Sequence, residues 1–378
     1  MINRQSHPIT IGIDASRAFV EDPAGPEYYS WHLIKNLSII DKENNYILYL
    51  RPGQKPDFKL PRNFTFKTIN MRYLWTQIGL AFELILHPAD ILFIPAHTLP
   101  LVCKVLLPQM PIVVTVHGLE GKYLPQSGSI LAHIYRNWSI TWAVRMASNL
   151  IAVSEDTRSD VINTYHINSK DITTIHEGVD VEKYRNAKKL PKNSQYYSTR
   201  KYILFVGTIQ PRKNLVKLIK AFSKLSDRGI NLVIVGKLGW LYQRVLKAPK
   251  KYRVDNRVLF TGRVKDESLV GLYKGAELFC LPSITEGFGL PILEAQAADI
   301  PVVSSTGGAL PEIAGKGAFY INPTSVESIR DGLEKVLEDF KLRHELVSKG
   351  RENVSNFSWI KTADNTLNFL LKAYNRKD

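Results

Sequence analysis

Short apolar runs alternate with longer amphipathic stretches along this chain, and they do so in two series. In the first, ITIGID, YILYL, FTFKTI, ILFIP, IVVTVH, LIAVS and ITTIH predict strands. Most are β-branched and apolar at successive positions, the pattern of strands covered on both faces. Helical patterns lie between several of them, at residues 26–40, 73–86, 129–146 and 155–165. Such βαβ alternation demands a mostly parallel, doubly wound sheet, because parallel neighbours need a long crossover. Residues 181–200 break the rhythm with a polar, basic stretch that predicts a linker. A second series follows: YILFVG, NLVIVG, RVLFTG, ELFCLPS, PVVSS and AFYINP. Its helical patterns fall at 215–226, 241–248, 266–273 and 291–298, and the chain is helical from Ser325 onward. A length of 378 residues fits two such domains at roughly 150 residues each. Ligands of open α/β sheets bind beyond the carboxyl ends of the strands, so two sheets predict chemistry in the strand-to-helix turns, across a cleft between the domains.

The formal net charge of +15 calls for an anionic partner: a nucleic acid, an acidic membrane face or a phosphorylated substrate. The charge is spread in broad fields. From Ile91 to Ser154 the only acid is Glu120, and from Arg228 to Val254 there are seven Lys/Arg and no acid. The longest apolar stretch is cut by Pro95, Pro100, Pro108 and Pro111, which excludes a continuous spanning helix there. The opening MINRQSHPITIGIDA lacks the apolar core of a signal peptide. Cys103 and Cys280 stand far apart in apolar surroundings, as buried inert thiols do. These features predict a cytoplasmic protein.

EGFGLPILEA, Glu286 to Ala295, carries the strongest signal. A strand leads in, Gly287 and Gly289 permit an unusual backbone path, and Pro291 suits a first helical turn. The amides of Phe288, Gly289 and Leu290 then form an anion site at a helix start. Glu286 and Glu294 flank it, one acid suited to a sugar and one to a ribose. VGTIQPRKN follows the first strand of the second series, with Gly207 at the strand end. Arg212 and Lys213 oppose the dipole of the helix they precede, which points to an anion for them to hold. Together they can neutralise a leaving diphosphate, a task a metal ion performs elsewhere. In the loop after the first strand, Gly25 precedes a helix; it lets backbone approach a phosphate or a sugar, or is a simple turn glycine. His117 follows a buried strand in VVTVHGLEG and reaches the cleft mouth, although a lone histidine there is as often structural. In FTGRV, Gly262 and Arg263 offer contacts to a nucleobase edge. No D-x-D motif lies at a strand end; Asp180 and Glu182 come closest, within the linker. A metal site is therefore not expected, and neither is a cofactor.

EGFGLPILEA resembles the E-x7-E signature of retaining glycosyltransferases of family 4, which have the GT-B fold of two Rossmann-like doubly wound domains facing across a cleft. GIDASR, VHGLEG, LIAVSEDTRSDVI, HEGVD, VGTIQPRKNLVKLIKAF, LFTGRV, GLYKGAELFCLPS, STGGALPE and FSWIKTA match the pattern in order over nearly the whole chain. The resemblance implies an acceptor-side domain over 1–185, a nucleotide-sugar domain over 186–358 and a C-terminal helix, 359–378, packed back on the first. It places Glu286 on the donor sugar, Glu294 on the ribose, Arg212 and Lys213 on the diphosphate and His117 by the reacting sugar. It implies transfer of a hexose-type sugar from a nucleotide-sugar donor with retained anomeric configuration, by front-face displacement. Two departures stand out. Gly25 is followed by Pro26 and Glu27 instead of a second glycine, and His117 by Gly118 instead of an acid, so roles for those family positions do not carry over.

The acceptor is expected to be a glycan or a lipid-linked sugar. Residues 129–146 carry Tyr135, Arg136, Trp138, Trp142 and Arg145 without an acid. That mix suits a peripheral place on an anionic inner membrane face, and equally a core-packing helix with two exposed arginines. A nucleic-acid-binding protein fits the charge but shows no motif of that class. A dehydrogenase lacks G-x-G-x-x-G after its first strand. Another GT-B enzyme, such as a sugar-nucleotide epimerase or a phosphorylase, shares the architecture.

Overall fold

The computed structural model describes residues 7–96, 98–100, 106–119, 130–192, 194–196 and 200–376, with the backbone alone for 130–137. The chain forms two compact units. The first comprises the described residues up to Leu119, Ile130–Gly178 and the described residues from Trp359 onward; the second holds Val179–Ser358.

The first unit contains β1 (Thr10–Asp14), β2 (Asn45–Leu50), β3 (Phe64–Thr68), β4 (Ile91–Ile94), β5 (Ile112–Val116), β6 (Asn149–Ala152) and β7 (Ile172–Thr174). They form one sheet in the order β3-β2-β1-β4-β5-β6-β7, with every pairing parallel. The second contains β8 (Tyr202–Val206), β9 (Asn231–Val235), β10 (Val258–Gly262), β11 (Leu278–Leu281), β12 (Val302–Ser305) and β13 (Ala318–Ile321). Their order is β10-β9-β8-β11-β12-β13, again all parallel. Both are doubly wound parallel sheets, as the sequence predicts. The order reverses between β1 and β4 and between β8 and β11, and the loops leaving those strands diverge to opposite faces. β4 and β11, central in the two sheets, are fully buried and apolar at every position.

In the first unit, helix Gly25–Ile40 packs against helix Trp359–Asn375. The Trp359 indole stacks on His32 at 4.7 Å and 12°, and Thr362 donates to the His176 carbonyl at 2.8 Å. The tail of the chain thus packs on helix Gly25–Ile40 and on β4.

Two local expectations change. The helix predicted over 73–86 is a π-helical turn, Trp75–Leu80, running into an α-helix, Ala81–Leu86. Gly79 lies so close to Ile69 that a β-carbon there would sit 2.8 Å from its methyl, so the wider turn fits only with glycine. The stretch 181–200 opens on a helix, Val181–Arg185, where a linker was predicted. Asp180 caps it by accepting from the Lys183 amide at 3.0 Å, and Tyr184 anchors it edge-on against Tyr273 at 5.6 Å. Five residues are too few to show a helical period. Cys280 is buried, which pushes its thiol pKa up and leaves it inert; Cys103 lies outside the described residues. Among the described residues no helix is long and apolar enough to cross a membrane.

The ends of β8, β9 and β10 lie side by side through their terminal glycines. Gly207 donates to the Val235 carbonyl and Gly236 to the Gly262 carbonyl, both at 2.9 Å. Gly236 has φ +147°, and a β-carbon on it would fall 2.0 Å from the Gly207 carbonyl oxygen. Gly236→Ala is therefore expected to lose more than about 2 kcal/mol of stability, read as a drop in the urea midpoint at unchanged m-value.

Candidate functional site

At the β8/β11 reversal, two loops bring three ionisable side chains together. After β8 the chain passes Gly207 and makes a 3₁₀ turn, Pro211–Lys213, before helix Leu215–Phe222. After β11 it runs from Pro282 to Gly289 and enters helix Leu290–Ala297. Arg212 donates through Nη1 to Glu286 Oε2 and to the Thr285 carbonyl at 2.9 Å. Lys213 Nζ lies 2.5 Å from Glu286 Oε1, and the Ser283 hydroxyl donates to the same oxygen at 2.6 Å. All three charged groups are buried: Glu286 is 5% exposed, Arg212 6% and Lys213 7%.

The backbone holds this cluster from several sides. Ile284 N–H donates to the Arg212 carbonyl at 2.9 Å. The Asn214 amide donates to the carbonyls of Pro282 at 3.0 Å and Pro323 at 2.7 Å. Ser305 donates to the Ser283 carbonyl at 2.5 Å, and Ala309 N–H to the Glu286 carbonyl at 2.9 Å. Gly308 sits against the same loop with φ +62°, where a β-carbon would lie 2.5 Å from the Glu286 carbonyl oxygen. The STGG segment is thus the floor under Glu286.

The two glutamates eight residues apart occupy opposite environments. Burial alone would raise the Glu286 carboxyl, but the Arg212 and Lys213 charges overcome it and hold the group well below the ordinary carboxylate range. Glu294, also buried, is raised by desolvation, with hydroxyl partners in Tyr273 and Tyr184 partly opposing. Tyr273 donates to its Oε2 at 2.7 Å. One carboxylate is therefore a paired anion, and the other is raised by burial against the opposing hydrogen bonds of two tyrosines.

The remaining sequence-predicted residues of this unit fall around that core. Gly207 lies beside Lys213, whose Cε would be 3.4 Å from a β-carbon there. Gly289 is the N-cap of helix Leu290–Ala297 with φ +112°, and Leu290 opens that helix. The Phe288 ring is buried edge-on against Phe357 at 6.1 Å, so it serves packing and only its backbone faces the helix start. Gly262 ends β10 and Arg263 is exposed beyond it.

His117 and Gly25 belong to the first unit. The His117 ring ends β5 with Nε2 2.8 Å from the Pro95 carbonyl and Nδ1 3.2 Å from Glu177 Oε1. Tyr29 packs edge-on against it at 4.8 Å. Both ring nitrogens thus face acceptors, which fixes the plane of the ring. Gly25 is the first residue of its helix, and a β-carbon there would meet nothing within 4 Å, so the chain's own packing does not demand a glycine. The side chains of Tyr135 and Arg136 lie outside the described residues; Trp138 is half exposed and stacks on Trp142 at 6.1 Å.

Sequence reasoning missed Ser283, Tyr273 and Glu177 as partners of the predicted residues. Only Glu177 carried a signal, as an acid directly after a predicted strand in HEGVD. Glu286→Gln leaves two buried cations without their carboxylate. A loss of about 3–5 kcal/mol is expected near neutral pH. The folded carboxyl is depressed below its ordinary 4.5, so its contribution is complete above that value and fades as the pH falls through the folded value. Urea titrations across that range should show wild type and variant converging towards acid.

The family model described as Glycosyl transferases group 1 matches residues 186–353, and Glycosyltransferase Family 4 matches 42–183. The O-antigen chain mannosyltransferase B of Escherichia coli is 30% identical over 62% of this chain and 63% of its own length. The serotype-specific mannosyltransferase WbdA, also of E. coli, is 31% identical over 57% of this chain. The chain spans less than two thirds of the first and only 28% of the second. Among solved structures, sucrose-phosphate synthase from Thermosynechococcus elongatus covers 98% of this chain, and is itself covered completely (100%), with a TM-score of 0.78 at 18% identity. Anabaena HepE, in complex with UDP and glucose, covers 97% and is likewise covered over 100% of its length, with a TM-score of 0.73 at 17% identity.

Proposed function

We propose that this chain, which belongs to the GT-B glycosyltransferases of the family 4 type, moves a hexose from a nucleotide-sugar donor to a glycan or lipid-linked acceptor with retention at the anomeric carbon, using Arg212 and Lys213 instead of a metal ion. The observation that carries this reading is the buried pair of cations at the β8/β11 reversal. Fixed cations in a site shielded from water stabilise charge that develops on a leaving group, without reorganisation at the moment of reaction. The cluster holds two positive charges against one negative, so its net charge attracts an anion.

The diphosphate of the donor binds Arg212 and Lys213 and competes with Glu286 for them. Glu286 then has lone pairs for the hydroxyls of the sugar being transferred, and Glu294 for those of the ribose. The bond from the anomeric carbon to the phosphate oxygen breaks as the bond to the acceptor oxygen forms on the same face. The departing phosphate oxygen takes the acceptor's proton. No side chain forms a covalent intermediate in this scheme; the protein contributes position and charge. His117, held by Glu177 and the Pro95 carbonyl, lines the acceptor side of the transferred sugar. Both curated relatives are mannosyltransferases, which puts a mannosyl donor first among those to test.

Melting curves with UDP- and GDP-sugars in a chelating buffer test the donor reading. One nucleotide sugar is expected to raise the wild-type Tm by mass action, and Lys213→Ala and Glu294→Ala to abolish the rise. If no nucleotide sugar shifts the wild type, the donor reading fails. With the donor in hand, Lys213→Ala is expected to lower kcat about 10²–10³-fold. The proton NMR spectrum of the product tests retention: a product of inverted anomeric configuration rejects the front-face scheme.

A further inference from the structure

The segment formed by the π-helical turn Trp75–Leu80 and helix Ala81–Leu86 is apolar on both sides. Its inner side, including Trp75, Leu80 and Leu84, is buried in the core of the first unit. Its outer side presents Ile78 at 49% exposure, Phe82 at 61% and Leu86 at 54%, continuing a row begun by Leu74 at 63%. Phe82 and Leu86, four apart in the α-helix, share one face of it, and Leu74 and Ile78 are exposed ahead of them. Tyr73 stands beside them, 76% exposed. The polar side chains of the segment lie elsewhere: Gln77 donates to the Leu99 carbonyl at 3.1 Å, and Glu83 pairs with Lys67 at 3.4 Å and His87 at 3.2 Å. A surface helix normally turns polar residues outward, and one that is apolar all round is covered by something.

The charges beside it indicate what covers it. From Arg51 to Arg72 the chain carries six Lys/Arg and one acid, Asp57, and Asp57 accepts from the Trp31 indole at 2.8 Å. Lys55, Lys59, Arg62, Lys67 and Arg72 are exposed, and the Lys67–Glu83 contact ties this basic stretch to the apolar helix. A second copy of the chain docked face to face would set these cations against their own equivalents. An anionic lipid surface matches both parts: the apolar row enters the acyl boundary and the lysines and arginines meet the headgroups. We propose that residues 73–86, with the basic stretch before them, are the surface by which this protein docks on an anionic membrane. Its residues are not those of 129–146, whose aromatic and basic mix suited a membrane face and a core-packing helix equally. The inference stands independently of the transfer reaction.

Co-sedimentation of the full chain with phosphatidylcholine vesicles, with and without phosphatidylglycerol, tests it. The wild type is expected to bind only the phosphatidylglycerol vesicles, and more weakly as salt rises. Phe82→Ser with Leu86→Ser, and separately Lys55→Glu with Arg62→Glu, are each expected to reduce the partition coefficient by about tenfold or more. These side chains are exposed, and an unchanged Tm in each variant shows that the fold survives. Absence of wild-type binding, or equal binding by both variants, overturns the proposal. So does a dimer in sedimentation equilibrium that Phe82→Ser dissociates, since a second copy would then be what covers the face.

Discussion

A carboxylate and two cations lie buried where β8 and β11 release their chains. Burying any one of these charges alone would cost several kcal/mol. They are tolerable only because each has a partner within hydrogen-bond reach, so the loops that carry them must hold one geometry. Backbone bonds from Ile284 to Arg212 and from Ala309 to Glu286 impose it, with the Asn214 amide as a further tie. The requirements spread outward from there. Gly308 must be a glycine because the Glu286 loop lies against it, and the Ser283 hydroxyl points inward to join Lys213 on the carboxylate's Oε1.

The same unit separates two chemically identical side chains by environment alone. Glu286 is held low by adjacent cations, while burial raises Glu294 against the hydrogen bonds of Tyr273 and Tyr184. Pairs of carboxyls driven apart in this way mark functional sites. The first unit places His117 by the opposite means, with acceptors at both ring nitrogens and an aromatic edge against its face. A ring so held has one orientation to present.

The exposed face of the first unit follows a different logic. Helices that flank a doubly wound sheet need an apolar stripe only on the inner side. The outer row from Leu74 to Leu86 exceeds that need. Its neighbours are cations, which a membrane of anionic lipid would offset and another copy of the chain would not.

The alternation of apolar runs and amphipathic stretches was sufficient to place the thirteen strands of the described residues and both sheets, because parallel strands covered on both faces are mostly apolar. The glycines and proline of EGFGLP and the basic pair of PRKN were legible for a related reason: local backbone geometry and helix dipoles act over a few residues and leave their mark in order along the chain. Pairings across long sequence separation left no such mark. That Glu286 meets Arg212 and Lys213 across more than seventy residues, that Phe288 turns its ring into the core, and that Glu177 orients His117 were decided by which loops the strand order makes neighbours. So was the exposure of residues 73–86: their composition predicts a helix, and only the packing of the sheet decides which side of an apolar helix is left outside.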